Sequence, residues 1–394
     1  MRRLAIVGAS LAGVRAAEGA RAHGWTGEIV MIGDEVHAPY DRPPLSKAVL
    51  NSDDPPEPPR LRSTQTWDAL CVDLQTGCAA TGINVGDRIL RTDHGDVDYD
   101  ALVIATGSTP RVLLDPDSGL DVGAMDNAHH LRTYDDAVRV RTTLESARQL
   151  VVFGAGFIGA EIASAAVSRG TDVTIVNASA RPLARCAGPL ASAALVELHR
   201  SAGVRMVLGA EITQMDVQDN VIRSVSLTSG EQLETDAVIV AVGSTPTTDW
   251  LGGTEIDLDP AGRGVRCGRD MSTSASGVFA AGDVASVAGH PAGHWTTAVD
   301  TGFIAGTNAT GAQEIYSGVP FAWSTWYGHR IQMVGRTGSA AEDSIEEITV
   351  DDGYFEYRDG SEVVGAVGID SPGQIARLRR QLSTQVRTKV PTFG

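Results

Sequence analysis

The sequence contains few cysteines, and none of them is paired in a way that indicates a redox or metal centre. The four are Cys71, Cys78, Cys186 and Cys267, and no two of them have CxxC spacing. That spacing is typical of dithiol redox centres and of many iron–sulfur and zinc sites. The sequence therefore predicts no metal site and no dithiol centre.

Long apolar runs are also missing. No stretch of about eighteen consecutive apolar residues occurs, so we expect no membrane-spanning helix. The N-terminus passes from Met1-Arg2-Arg3 directly into a short apolar segment and a glycine turn, which is not the pattern of a signal peptide. Together these features predict a cytoplasmic protein without membrane contact.

Positive charge is scarce as well. The chain has 32 Lys and Arg against 49 Asp and Glu, which gives a net charge of −17. This balance argues against nucleic acid as a main partner. The length of 394 residues is enough for two or three domains with a large core.

Two similar glycine-rich stretches stand out among the features that are present. Residues 4–13 read LAIVGASLAG, and residues 150–159 read LVVFGAGFIG. In each, a short apolar run leads into a glycine turn and an alanine-rich helical stretch. This is the strand–turn–helix order of a dinucleotide-binding unit. Two such units predict two nucleotide cofactors, a flavin and a nicotinamide, placed to exchange a hydride.

The glycines of such a unit have separate roles. The first allows the tight turn, and the third lets the helix pack closely on the strand. These positions are held by Gly8 and Gly13 in the first copy and by Gly154 and Gly159 in the second. The middle position lets the backbone approach a pyrophosphate, and it is Gly156 in the second copy but Ser10 in the first. Serine is small and can donate a hydrogen bond, so both copies remain candidate phosphate sites.

A ribose is normally held by an acid about 20 residues after the glycine turn. The strand at residues 28–32 is followed by Asp34 and Glu35, of which Asp34 is the better placed. The strand at residues 172–176 is followed instead by Asn177. An amide can bind a ribose but does not repel a 2′-phosphate. We therefore expect NADH to be used, with weakened discrimination against NADPH.

Two arginines downstream of Asn177 also affect the expected preference between NADH and NADPH. Arg181 and Arg185 could reach a 2′-phosphate, whereas Gly159 is the third glycine typical of NAD sites. NADH remains the expected coenzyme, and NADPH remains possible. Alternatively, Asn177 points to solvent and the loop around Arg181 sets the selectivity.

Other candidate site residues follow buried strands or lie in a proline-rich segment. Residues 39–47 read PYDRPPLSK, and their prolines predict a rigid loop that presents Lys47. Residues 74–85 are predicted to form a short strand. Buried strands at 101–107 and 277–283 end in a small-residue turn and in Asp283. Ligands of open α/β sheets lie outside such carboxyl ends.

In combination these motifs resemble one family, the NADH-dependent ferredoxin reductases that serve oxygenases and cytochromes P450. The resemblance covers essentially the whole chain. The segments on which the resemblance rests are the two glycine turns, Pro39 to Lys47, Ala105-Thr106-Gly107, Phe279 to Asp283, His294-Trp295, Pro320-Phe321, Trp323-Ser324 and residues 331–335.

The resemblance implies an α/β fold with two Rossmann-like dinucleotide-binding domains, similar to glutathione reductase, and a C-terminal α+β domain. The FAD-binding domain would be discontinuous, formed by residues 1–110 and 244–319. Residues 111–243 would form the NAD(P)-binding domain, and residues 320–394 the C-terminal domain.

The resemblance also implies the residues that contact each cofactor. Those for FAD would be Gly8, Ser10, Ala12, Gly13, Asp34, Arg42, Lys47, Ala80, Thr106, Gly107, Arg132, Gly282, Asp283 and Trp295. Those for NAD(P) would be Gly154, Gly156, Phe157, Ile158, Gly159, Asn177, Arg185 and Gly243. Lys47 beside the flavin ring and Glu161 near the nicotinamide would be the catalytic residues, paired with each other.

The implied activity is electron transfer from NAD(P)H through FAD to an iron–sulfur ferredoxin, of the 2Fe–2S type or similar, that serves a cytochrome P450 or a Rieske-type oxygenase. The ferredoxin would dock transiently through Arg330, Arg336 and arginines of the basic C-terminal helix, on a monomer or weak dimer. Three alternatives remain. A disulfide or peroxide reductase needs a reactive cysteine near the flavin, and residues 40–47 contain none. The others are a flavoprotein similar to apoptosis-inducing factor and an NADH oxidase without a ferredoxin.

Overall fold

The computed structural model describes residues 2–52, 54, 56–291, 293–338 and 345–389, with side chains as far as residue 385. Its first strands are β1 (Arg3–Val7), β2 (Glu28–Gly33), β3 (Val72–Thr76), β4 (Ala80–Asn84), β5 (Ile89–Thr92), β6 (Gly95–Asp98), β7 (Ala101–Ile104) and β8 (Ser108–Pro110). The next are β9 (Ala128–His129), β10 (Gln149–Phe153), β11 (Asp172–Asn177), β12 (Arg205–Leu208), β13 (Ile212–Gln218), β14 (Val221–Leu227), β15 (Gln232–Glu234) and β16 (Ala237–Val240).

The later strands are β17 (Ser244–Pro246), β18 (Val265–Cys267), β19 (Val278–Ala280), β20 (Ala285–Val287), β21 (His290–Pro291), β22 (Phe321–Trp326), β23 (His329–Gly335), β24 (Ile345–Asp351), β25 (Tyr354–Asp359) and β26 (Glu362–Ile369). The α-helices are α1 (Leu11–Ala22), α2 (Thr64–Leu70), α3 (Tyr134–Ser146), α4 (Phe157–Ser168), α5 (Pro189–Ser201), α6 (Trp295–Asn308) and α7 (Pro372–Lys389). Among the described residues, no helix has the length and apolar character needed to cross a membrane.

Two parallel sheets have similar plans. The first has the order β19–β7–β1–β2–β3, and the second contains the order β12–β11–β10–β16–β9. Their central strands β1 and β10 each lead through a glycine turn into a helix, α1 and α4 respectively. Both strands are apolar and almost completely buried, as expected for parallel strands covered on both faces. The α/β fold class with two Rossmann-like units is therefore confirmed.

Helix α6 packs unusually closely on α1. A Cβ atom on Gly302 would lie 2.3 Å from the carbonyl oxygen of Ala12, and one on Gly306 would lie 1.8 Å from that of Ala16. Only glycine fits at these two positions, because any side chain would overlap the backbone of α1. The contact brings the beginning of α6 next to the first glycine turn.

A third sheet follows α6 in the chain. Its strands have the order β22–β23–β26–β25–β24 and are antiparallel throughout. Helix α7 packs on it through Ile375, Leu378 and Leu382, which are buried together with Val334 and Ala366. This is the α+β arrangement expected of the C-terminal region.

Three local predictions were wrong. Residues 74–85 are not one strand, because Gly77, at φ +64°, separates β3 of the first sheet from β4, which pairs with β5 elsewhere. Residues 45–49 form a π-helical turn rather than a loop, with the amide of Val49 bonded to the carbonyl of Pro44. The strand predicted at 277–283 ends at Ala280, and a one-turn helix follows it.

Candidate functional site

A cavity of about 350 Å³ lies at the carboxyl ends of the strands of the first parallel sheet. Many of the predicted site residues line it. They are Gly8, Ser10, Ala12, Asp34, Arg42, Lys47, Thr106, Gly107, Arg132, Phe157, Ile158, Glu161, Gly282, Asp283 and Trp295. The first glycine turn and the start of α4, at Phe157 and Ile158, therefore face one space, although β1 and β10 belong to different sheets.

The first glycine turn is fixed by backbone contacts. Gly8 has φ +116°, and a Cβ atom there would lie 2.1 Å from the carbonyl oxygen of Ala105. Helix α1 follows without a side-chain cap at Ser10, so its first N–H groups are available to an anion. The hydroxyl of Ser10 instead accepts a hydrogen bond from Nε of Arg42 at 3.3 Å.

A polar cluster closes the side of the cavity next to β2. Nη2 of Arg42 lies 2.5 Å from Oε1 of Glu35, and Nη1 donates to the carbonyl of Arg132 at 2.6 Å. The hydroxyl of Tyr40 donates to Glu35 and accepts from the amide of Tyr134 at 2.9 Å. Burial raises the pKa of Tyr40, so its hydroxyl stays protonated and remains a donor. Glu35 is thus already paired, whereas the neighbouring Asp34 is exposed to the cavity.

The turn after β19 also contributes to the wall of the cavity. Asp283 lies in the one-turn helix Gly282–Val284, where its Oδ2 accepts from Oγ of Ser108 and pairs with Nη2 of Arg132, both at 3.2 Å. Burial lowers the pKa of the Arg132 guanidinium, an effect that the carboxylate of Asp283 opposes. Nearby, Nε1 of Trp295 donates to Oδ1 of Asp41 at 2.8 Å.

Lys47 and Glu161 form an ion pair in the cavity wall. Nζ of Lys47 lies 2.8 Å from Oε1 of Glu161 and 3.3 Å from the carbonyl of Pro43. The side chain of Lys47 is 32% exposed, whereas that of Glu161 is only 5% exposed. The hydroxyls of Ser46 and Ser324 also donate to the Glu161 carboxylate. A buried carboxylate requires such donors, and here it receives three.

The second glycine turn repeats the first in its backbone. Gly154 has φ +106°, and a Cβ atom there would lie 2.3 Å from the carbonyl oxygen of Ala241. At Gly156 an added Cβ would meet no atom within 4 Å. Helix α4 then begins at Phe157 with no side-chain cap. The second turn therefore also offers uncapped N–H groups beside open space.

The carboxamide of Asn177 forms hydrogen bonds with the protein backbone and does not point only to solvent. Its Oδ1 accepts from the amide of Ala155 at 3.0 Å, and its Nδ2 donates to the carbonyl of Ser179 at 2.7 Å. The carboxamide thus joins the glycine turn to the loop that carries Arg181 and Arg185.

The remaining predicted residues do not line the cavity. They are Gly13, Ala80, Gly154, Gly156, Gly159, Asn177, Arg185 and Gly243. Most of them belong to the second glycine turn and its surroundings. Ala80 packs instead against the core below the first sheet. Gly13 supports the turn, since a Cβ atom there would lie 2.0 Å from the carbonyl of Gly8.

Sequence reasoning missed four polar residues of the site. Ser46, Ser324, Tyr40 and Asp41 each bind a predicted residue or its neighbour. Ser46, Tyr40 and Asp41 lie in the same proline-rich segment as Lys47. Their place in that segment is the signal that could have identified them as site residues. Ser324 is 163 residues away from Glu161, and no local pattern relates the two.

None of the described residues that line the cavity is a cysteine. Burial raises the pKa of Cys186 to about 11 and that of Cys267 to about 12, which keeps both thiols protonated at neutral pH. The site therefore lacks the reactive thiolate on which a flavin-linked disulfide reductase depends.

Comparisons with known proteins find a matching family and similar chains. Residues 2–302 match the family described as pyridine nucleotide-disulphide oxidoreductase. The chain is 33% identical over 393 residues to rhodocoxin reductase of Rhodococcus erythropolis, covering 97% of this chain and 90% of the relative. It is 36% identical over 283 residues to putidaredoxin reductase of Pseudomonas putida, covering 71% and 66% respectively. The reductase in the covalent putidaredoxin reductase–putidaredoxin complex matches with a TM-score of 0.88 and 29% identity, over 97% of this chain and 93% of that one.

Proposed function

Because this chain belongs to the pyridine nucleotide-disulphide oxidoreductase family and is similar over nearly its whole length to ferredoxin reductases, we propose that Lys47 and Glu161 form the centre of its hydride-transfer site. The protein is an oxidoreductase that carries electrons from NADH through FAD to an iron–sulfur ferredoxin. The main support for these two residues is their ion pair in the wall of a cavity that is bordered by the first glycine turn and by Phe157 and Ile158 at the start of α4.

The cavity fits a dinucleotide such as FAD. At its phosphate end, Gly8 and Gly13 leave no room for side chains and the uncapped start of α1 supplies N–H donors. Asp283, which also lines the cavity, offers a carboxylate that can accept hydrogen bonds from a polyhydroxyl chain. Asp34 is exposed at the end of β2, where a ribose is expected. We propose that the predicted FAD residues contact the cofactor, including Ala80, which packs partly against the core and does not line the cavity.

Bound FAD supplies a hydride acceptor that can release electrons one at a time. The protein residues supply orientation and electrostatics. Lys47 places a positive charge beside the cavity, where it stabilises negative charge that develops during reduction. Glu161 holds the Lys47 ammonium in place through their ion pair. Phe157 and Ile158, at the start of α4, form the cavity wall on the side of the second glycine turn, which we assign to the nicotinamide coenzyme.

The same proposal assigns the coenzyme to Gly154, Gly156, Gly159, Asn177, Arg185 and Gly243 around the second turn. NADH is the coenzyme, and we propose that NADPH is discriminated against only weakly. We further propose the division into FAD-binding residues 1–110 and 244–319, NAD-binding residues 111–243 and C-terminal residues 320–394. A cytoplasmic location and a monomeric or weakly dimeric state complete the proposal, to be tested by cell fractionation and sedimentation.

Ferredoxin docking is proposed at arginines of the C-terminal region, of which Arg379 lies next to a residue of the cavity wall. The guanidinium of Arg379 lies 4.3 Å from the centre of the ring of Phe321, which lines the cavity. Arg330 is exposed, and Arg336 is exposed and paired with Asp359 at 3.1 Å. The basic helix also contains Arg387 and Lys389, whose side chains lie outside the described part. An acidic ferredoxin would be attracted to these arginines despite the overall negative charge.

The similarity to the ferredoxin reductase of the CYP199A2 system from Rhodopseudomonas palustris supports service to a cytochrome P450. The similarity to reductase components of dioxygenase systems supports service to an oxygenase.

The test of the central proposal is Lys47→Ala, with Lys47→Arg as the charge-preserving control. We expect Lys47→Ala to retain FAD but to be reduced by NADH at least about tenfold more slowly, with a lower flavin midpoint potential. Lys47→Arg should lie closer to wild type in both measurements. Stopped-flow reduction of Lys47→Ala at the wild-type rate would remove Lys47 from the mechanism.

A further inference from the structure

The C-terminal sheet contributes a buried hydroxyl to the ion pair in the cavity wall. Ser324, on β22, is completely buried, and its Oγ donates to Oε1 of Glu161, the same oxygen that pairs with Lys47. Ser46 donates to the other oxygen, Oε2. The carboxylate is therefore held from two separate parts of the chain, the segment that contains Ser46 and Lys47 and the strand β22.

Ser324 lies outside the part of the chain that matches the family, which ends at residue 302. The residues of the match bring Lys47, Ser46 and Glu161 together, but they do not supply the second donor to Oε1. That donor comes only from the strand that follows α6. The C-terminal sheet thus takes part in the site and does not merely cover it.

The position of Ser324 is set by strand register and by a second anchor. Along β22 the side chains of Ala322, Ser324 and Trp326 are buried, whereas Thr325 is exposed on the other face. One residue beyond the strand, the amide of Tyr327 donates to Oγ of Ser164 at 2.8 Å. Ser164 follows Glu161 by three residues, so it lies on the same face of α4. Two successive hydrogen bonds therefore fix β22 against this helix.

We propose that Ser324 is a positioning residue for hydride transfer, which acts by orienting the Glu161 carboxylate towards Lys47. This inference rests on the roles proposed above for Lys47 and Glu161. If the Ser324 hydroxyl is removed, Lys47 is the one polar partner that remains for Oε1 of Glu161 among the described residues. Ser46 binds the other oxygen, Oε2. The carboxylate is then held by Ser46 and Lys47 and can turn away from the orientation that Ser324 sets. The ammonium of Lys47 thereby loses the fixed position from which it presents its positive charge to the cavity.

The primary variant is Ser324→Ala, which removes the donor and leaves the Cβ atom. A hydrogen bond to a charged group contributes enough for us to expect NADH-driven flavin reduction to slow by about tenfold. The flavin content and the KM for NADH should stay at wild-type values, and the flavin midpoint potential should become more negative. Ser324→Thr keeps the hydroxyl and should restore much of the rate. Thr325→Ala, on the exposed face of the same strand, is the matched control and should behave as wild type.

A double-mutant cycle separates positioning from a general packing defect. In a Glu161→Gln background, Ser324→Ala should cause little further slowing, because the charged group through which Ser324 acts is no longer present. Equal slowing in both backgrounds would overturn the inference. A wild-type reduction rate and potential for Ser324→Ala would also overturn it.

Lys47→Ala measured in parallel distinguishes failure of this inference from failure of the proposed function. If Lys47→Ala is slow while Ser324→Ala is not, the inference is wrong and the proposed site remains. If neither variant is slow, the proposed role of the Lys47–Glu161 pair is itself wrong, and the inference falls with it.

Discussion

The two glycine turns have nearly the same backbone but different surroundings. Gly8 and Gly154 have φ values of +116° and +106°, and each lies against a carbonyl of a neighbouring segment. The first turn is enclosed, because α6 packs closely on α1 and Arg42 reaches across to Ser10. The second is open, since an added Cβ at Gly156 would meet nothing within 4 Å. The difference suits a cofactor that stays bound at the first turn and a coenzyme that exchanges at the second.

The largest expected effect comes from removing the glycine that closes the first turn. Gly8→Ala should give protein without FAD, because its Cβ would overlap the carbonyl of Ala105 and its φ would be strained by about 1–3 kcal/mol. Gly24→Ala is the matched control, since Gly24 has φ +84° with no atom within 4 Å. The ratio of flavin to protein absorbance reports the result. A yellow Gly8→Ala with normal stoichiometry would contradict the assignment of this turn to FAD.

A substitution in the open turn should separate coenzyme binding from flavin binding. Gly156→Val leaves the fold intact, because its Cβ enters open space and its φ of −87° suits any residue. We expect the KM for NADH to rise by about ten- to hundredfold, as overlap of roughly 1–3 kcal/mol would give, with FAD fully retained. Ser10→Gly at the equivalent position of the first turn should also retain FAD. An unchanged KM would show that the coenzyme does not approach this turn.

Replacing Asn177, at the end of β11, by an acid tests how the second turn selects between NADH and NADPH. Asn177→Glu restores a charge that repels a 2′-phosphate, so the preference for NADH over NADPH should rise by about tenfold or more. The bonds of Asn177 to Ala155 and Ser179 place its carboxamide at the turn, which favours a direct effect. The measurement is kcat/KM for both coenzymes. If the ratio does not change, the loop around Arg181 sets the selectivity.

The smallest expected effect concerns the partner and should leave both turns untouched. Electrostatic attraction between arginines and an acidic ferredoxin weakens as the screening length falls from about 30 Å at 0.01 M salt to about 8 Å at 0.15 M. Ferredoxin-dependent cytochrome c reduction should therefore fall severalfold over this range, while flavin reduction by NADH changes little. Turnover that stays flat or rises with salt would argue against docking through Arg330, Arg336 and Arg379.

The sequence was sufficient for the parts of the site that depend on local chain geometry. Both glycine turns and the strands before them were predicted because a buried apolar run, a positive-φ glycine and a helix start are adjacent in the chain. Where short-range signals conflict, prediction failed. The prolines at 43 and 44 suggested a loop, but Pro44 is tolerated at the start of a helical turn, and residues 45–49 form one.

Contacts between distant segments could not be predicted from residue type. Nothing in the sequence relates Ser324 to Glu161, or Asp41 to Trp295, because a serine or an aspartate can hydrogen-bond many different partners. The residue type alone does not identify the partner. Glu35 shows the same limit. Its position after β2 is also that of a ribose ligand, yet its carboxylate is paired with Arg42 and Tyr40. Only the folded chain reveals this arrangement.

The close contact of α6 on α1 has a consequence for how the protein is made. Strand β1 precedes β19 and the glycines of α6 by about 270–300 residues, so it leaves the ribosome well before them. Until then the first sheet lacks its β19 edge, and the alanine-rich face of α1 has no partner. The compartment for FAD is therefore completed late in synthesis, after the intervening second sheet has emerged. A chain that stalls before Gly302 should expose the apolar face of α1 to chaperones and should not retain the flavin.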